Sequence, residues 1–148
     1  MTDAVLSASR ALVAVAARSL TGSSSDVTLP QFRVLVVLCS RGPSAMGELA
    51  EELQASKSTA TRLCDRLVEK DLIERHHREE NRREVEVRAT PAGARLVHTV
   101  TARRRKELAR ILAKVPAAKR RPMVDALRAF ADAAGEVPDQ AWALGWSA

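Results

Sequence analysis

Residues 3–20 are rich in Ala, Leu and Val and contain no Gly or Pro, which is the pattern of a first helix. Gly22-Ser23-Ser24-Ser25 breaks it. Leu29-Pro30 opens a second helix with Pro in its first turn, where a missing N–H costs nothing. Residues 34–39 are apolar almost all round, so this helix is expected to be central and packed on several sides before Arg41-Gly42-Pro43 stops it. Ser44 is the expected N-cap of a short third helix over 46–53, with Leu49, Ala50 and Leu53 on one face and Glu48, Glu51 and Glu52 facing away. After a break at Gln54-Ala55-Ser56, a fourth helix over 57–70 carries an apolar stripe of Ala60, Leu63, Cys64 and Leu67.

Two helices joined by so short a break form a helix-turn-helix candidate. Residues 72–76 are then expected as one strand. Glu84-Val85-Glu86-Val87-Arg88 alternates polar and apolar, the period of a half-buried second strand. The charged tip Arg78-Glu79-Glu80-Asn81-Arg82-Arg83 between them completes a β-hairpin wing. Thr90-Pro91 caps and opens a long fifth helix that runs to about Val115, with Gly93 tolerable near its start. A last helix is expected over 121–134, ending at Gly135, with a tail bearing Pro138, Trp142 and Trp146. The fold class is mostly α with a small β wing: a winged helix-turn-helix whose N- and C-terminal helices form a dimerisation region.

Composition sharpens this picture. The 148 residues are 46% hydrophobic but only 3% aromatic, so the core must be aliphatic and helix-favouring. One domain over 1–148 fits that length, with a core at 29–90 and helical flanks at 1–28 and 91–148. Two cysteines exclude a disulfide-rich scaffold. No apolar run approaches a membrane span, which takes about 18 residues. The run 11–17 sits between Arg10 and Arg18 and continues a helical pattern, so it reads as helix rather than as a signal-peptide core. A cytoplasmic location is expected. The net charge of +6 first suggests nucleic acid, but its distribution does not. Residues 1–55 carry four Lys/Arg and five Asp/Glu, residues 56–88 nine and eight, and residues 89–148 eleven and five. The excess therefore lies on the C-terminal arm, in Arg103-Arg104-Arg105-Lys106 and Lys119-Arg120-Arg121. A case for DNA must rest on individually placed arginines.

Four motifs, in order, carry a family resemblance: Leu29-Pro30-Gln31-Phe32-Arg33-Val34-Leu35, Gly47-Glu48-Leu49-Ala50-Glu51, Thr61-Arg62-Leu63-Cys64-Asp65-Arg66-Leu67 and Asn81-Arg82-Arg83. Over residues 29–93 the chain resembles the MarR family of dimeric winged helix-turn-helix transcriptional regulators. Three positions depart from the family pattern. Asn81 replaces the usual Asp before the basic pair, Ala45 stands where a Thr or Ser cap is usual, and Asp71 replaces a small residue before the wing.

The resemblance implies that the fourth helix enters the major groove of double-stranded DNA. Ser56, Lys57, Ser58, Thr59, Thr61, Arg62 and Arg66 are the candidate contacts, with Arg62 placed to donate two parallel bonds to guanine. Ser56 and Lys57 sit at the helix start, where N–H groups attract phosphate. Arg78, Arg82 and Arg83 are the wing candidates, Arg83 being the one expected to enter a narrow minor groove. Asp65, Arg75 and Asn81 are the expected structural supports. Asp65 would orient an arginine rather than face phosphate, and Arg66 reads equally well as a contact or as a structural ion-pair partner.

The first and last helices need a partner for their apolar faces, which a homodimer on a pseudo-palindromic operator supplies. The resemblance also implies a small-molecule effector in a cleft lined by the first, second and fifth helices, with Phe32, Arg10 and Leu12 as candidates. A repressor that binds no effector is the alternative. Other chemistry is poorly supported. Cys39 ends the most apolar helix and Cys64 lies on an apolar stripe, so a redox-sensing regulator using either is the weaker reading. His76 and His77 point to opposite faces of a strand, His98 lies far along the chain, and no ligand spacing for a metal exists. No cofactor motif and no nucleophile–base or acid-pair spacing points to an enzyme. A helical protein-interaction module without specific DNA binding is the remaining alternative.

Overall fold

The computed structural model describes residues 2–22, 26–77, 85–138 and 142. Among them the chain order is α1 (Thr2–Leu20), α2 (Leu29–Arg41), β1 (Ser44–Ala45), α3 (Met46–Glu52), α4 (Lys57–Val68), β2 (Ile73–His77), β3 (Val85–Ala89), α5 (Pro91–Ala113) and α6 (Ala117–Ala133). The strands form one antiparallel sheet in the order β1-β3-β2. A helix-turn-helix followed by a wing is therefore present.

The second helix starts where the sequence dictates. Thr28 Oγ1 accepts from the Gln31 N–H, and Gln31 Oε1 accepts from the Thr28 N–H at 3.1 Å, a reciprocal cap that satisfies two otherwise orphaned donors. Gly42, at φ 91, ends the helix in a conformation that favours glycine. Between these limits Phe32, Val34, Leu35, Val37, Leu38 and Cys39 are buried, and α1, α3, α4, α5 and β3 pack around them. Cys64, Leu67, Ile73, Val87, Val97 and Val100 complete an aliphatic core.

Several boundaries differ from expectation. Ser44 does not cap α3. It lies in β1, pairs with Val87, and donates its hydroxyl to the Gly42 carbonyl at 3.1 Å. Ala45 holds the cap position, and the Glu48 carboxylate accepts its N–H at 2.9 Å, so half of a capping box survives without the usual hydroxyl. A two-residue strand carries no periodicity, and only the free edge of β3 makes it one. The wing strands begin and end one residue later than expected, because the Leu72 N–H closes a turn onto Leu67 and its carbonyl accepts from Thr90. The last helix starts at Ala117, a turn before the expected Arg121, with Pro122 inside it. No residue of α6 is buried, so the bond lost at Pro122 leaves a carbonyl free to meet water.

Two backbone positions fix how the wing meets the core. Asp71 turns the chain at φ 55, which explains why a small residue suits that place. Gly93 is more than tolerable: a Cβ there would lie 2.1 Å from the Leu72 carbonyl oxygen. Thr90 secures the same corner. Its hydroxyl accepts from the Gly93 N–H at 3.1 Å and donates to the Asp71 carbonyl at 2.7 Å.

Candidate nucleic-acid interface

One face of α4 is anchored and the opposite edge is left open. Ala60, Cys64 and Leu67 are buried, while Ser56, Lys57, Ser58, Arg62 and Arg66 are exposed. Ser56 caps the helix by accepting the Thr59 N–H at 3.2 Å, and it shares hydrogen bonds with the Ser58 and Thr59 hydroxyls at 3.0 and 2.9 Å. The first turn is thus a cluster of hydroxyls around free helix N–H groups, a natural seat for an anion such as phosphate. Thr59 and Thr61 are only half-exposed, and Thr61 donates to the Lys57 carbonyl at 2.8 Å. Arg62 has a long 3.5 Å contact to Thr59 Oγ1 and no carboxylate partner among the described residues, so its fork is available.

The two carboxylates near these arginines do different work. Asp65 pairs with Arg75 of β2 at 2.5 Å and so ties the middle of α4 to the base of the wing. Neither Arg62 nor Arg66 is its partner. Arg66 pairs instead with Glu69 at 3.1 Å, both well exposed, an ordinary surface bridge of the kind worth about 0–1 kcal/mol. Next along β2, Glu74 accepts from Arg88 at 2.6 Å, and that guanidinium holds the carboxyl below its usual range. Arg78, Asn81, Arg82 and Arg83 lie outside the described residues.

The MarR family profile matches residues 27–85. RV1404 from Mycobacterium tuberculosis, a crystal structure, superposes with a TM-score of 0.86 at 43% identity, over 91% of this chain and 92% of that one. The chain belongs to the MarR family. Among curated relatives in Bacillus subtilis, the HTH-type transcriptional regulator YfiV is 40% identical over 65 residues, 44% of this chain and 41% of YfiV. The HTH-type transcriptional repressor MdtR is 35% identical over 86 residues, 58% of this chain and 56% of MdtR. The chain thus matches about half the length of these curated relatives.

In this MarR-family chain both thiols are sealed in the core, and burial pushes Cys39 and Cys64 up to about 11. Neither has the thiolate character that redox sensing needs. Among the described residues no His, Cys, Asp and Glu cluster could hold a metal, and no helix is long and apolar enough to cross a membrane.

Behind the reading head lies a cleft of about 780 Å³. It opens between α2, α5, α6 and the residues after α6, not between the first, second and fifth helices as expected. Phe32 lines it; Arg10 and Leu12 are exposed elsewhere on α1. The reason is that α1 closes against α5, through Arg18–Glu107 and the Arg104–Ser19 contact, while the end of α6 returns to α2. There Arg33 grips the Glu136 carboxylate with two bonds of 3.0 and 2.6 Å, and Arg41 donates to the Gly135 carbonyl at 3.0 Å.

Arg104 also lines the cleft. Its guanidinium lies 5.3 Å from the Phe32 ring centroid, its Nε is buried without a hydrogen-bond partner, and burial lowers its pKa. Sequence reasoning left this residue inside a basic run. The available signal was its place on the stripe Val97, Val100, Arg104 and Leu108, where one charge interrupts an apolar helix face.

Proposed function

We propose that the chain is a sequence-specific transcriptional repressor that binds a pseudo-palindromic operator in double-stranded DNA as a homodimer. The observation that carries this reading is the open edge of α4. A hydroxyl-lined N-terminus and the uncommitted Arg62 stand on a helix that the core holds on one side and the Asp65–Arg75 pair holds at the wing. Ser56, Lys57 and Ser58 receive phosphate, Arg62 reads a base edge, and Thr59 and Thr61 shape the first turn. Arg66 adds charge near the backbone. Arg78, Arg82 and Arg83 belong to the wing's share of the interface, with Asn81 as its support.

The homodimer rests on burial. Val5, Leu6, Leu12 and Val13 of α1 and Leu127 and Phe130 of α6 are exposed, and a two-fold partner covers both helices. On this reading 29–90 is the DNA-binding core, and 1–28 with 91–148 is the dimerisation region. A small-molecule effector acts through the cleft behind α2.

A gel shift with DNA from upstream of the protein's own gene tests the function. A complex that survives excess unrelated duplex supports it; one that unrelated DNA removes reduces it to electrostatics. Arg62→Ala should cost about 1–3 kcal/mol and relax preference at one base position. Equal weakening on all sequences removes the base-reading role.

A further inference from the structure

We infer that the cleft between α2, α5 and α6 binds a small monocarboxylate with an apolar body, and that Glu136, Val137 and Trp142, after α6, are the wall that closes on it. The two cations at its rim differ. Arg33 is already satisfied by Glu136. Among the described residues Arg104 pairs with no carboxylate, and its one hydrogen bond is the 3.4 Å contact to Ser19 Oγ. A five-donor cation partly withdrawn from water and left unpaired calls for an anion from outside. The walls beside it, Phe32, Val36, Leu108 and Leu112, are apolar, so the anion carries a hydrocarbon or aromatic body.

The residues after α6 narrow this space without filling it. With Glu136 on Arg33 and the Trp142 indole donating to the Val137 carbonyl at 3.0 Å, about 780 Å³ remains, the size of an ordinary small-molecule site. The same residues bind to α2, the helix at the centre of the reading head. A ligand held between Arg104 and this wall fixes α2 against α6, so head and arm move together. That regulatory consequence rests on the DNA-binding reading above; the binding itself does not.

The test uses the full chain without DNA, in a Trp146→Phe background so that Trp142 reports alone. Benzoate is the probe and benzamide its neutral counterpart. Benzoate is expected to shift Trp142 emission saturably and to raise Tm at concentrations where benzamide does neither. Arg104→Met should weaken benzoate at least about tenfold, as loss of a charge-assisted pair requires, and Arg104→Lys should keep part of the response. Glu136→Gln, and Trp142→Ala read by Tm alone, should weaken it by a smaller factor. Equal binding of benzamide, full binding by Arg104→Met, or no saturable benzoate response at tens of millimolar overturns the site. Undiminished binding in both Glu136→Gln and Trp142→Ala overturns the part assigned to the wall. A chain that binds benzoate but no operator keeps this inference and loses the function proposed above.

Discussion

Helices α2 and α6 are both rich in apolar residues, yet they hold opposite positions in the molecule. Of the thirteen residues of α2, eight are buried; of the seventeen of α6, none is. The first is the axis of a finished core. The second shows Leu127 and Phe130 to solvent, the latter 60% exposed. Within one chain, α2 is stabilised by its own neighbours, whereas α6 has an apolar face whose burial requires a second molecule. The difference separates a reading head that folds from its own contacts from an arm whose stability depends on protein concentration.

The largest effect that would sharpen this contrast is at Leu35, which is fully buried. Leu35→Ala should cost about 2–5 kcal/mol in urea denaturation at any protein concentration. Phe130→Asp should leave dilute protein nearly as stable as wild type but abolish the dimer in sedimentation. Equal losses in both variants, independent of concentration, would break the comparison. Next comes the joint between the regions. Gly93→Ala forces a methyl against the Leu72 carbonyl and should cost about 2–3 kcal/mol, visible as a lower urea midpoint.

The buried thiols give a pH test confined to the head. Their folded pKa of about 11 lies above the ordinary 9.0, so the folded state keeps its protons longer than the unfolded chain. Their contribution to stability is complete below pH 9 and lost as pH rises toward 11. Replacing both with Ala should flatten that alkaline decline, and folded wild type should resist iodoacetamide at pH 8. The smallest effect is Asp71→Gly, which relieves the positive φ and should change stability by no more than about 1 kcal/mol, in the stabilising direction.

Much of the fold was legible because local rules and tertiary packing agree. Thr28 with Gln31 and Thr90 with Pro91 mark helix starts that the structure keeps, and the apolar stripe of α4 is the face it buries. Legibility failed where a residue's role depends on something distant in sequence. Ser44 became strand because β3 offered an edge. Pro122 was misread as a helix start because its helix, exposed on all sides, tolerates it. Asp65 chose Arg75, ten positions away, over Arg62 and Arg66 on its own helix. The cleft was the least legible feature, since Arg33, Arg104 and Glu136 span more than a hundred positions.

The sequence by itself determined the order of elements, the aliphatic character of the core and the placement of candidate DNA-reading residues on one short helix. Periodicity and capping act within a few residues, and a single chain displays them in full. Only the tertiary structure decided which charges are committed and which remain open. It spent Asp65 on the wing and Glu136 on α2, and it left Arg62 and Arg104 without a carboxylate among the described residues. An ion pair is set by distance in space, and two residues far apart along the chain carry no local mark of the contact that folding brings about.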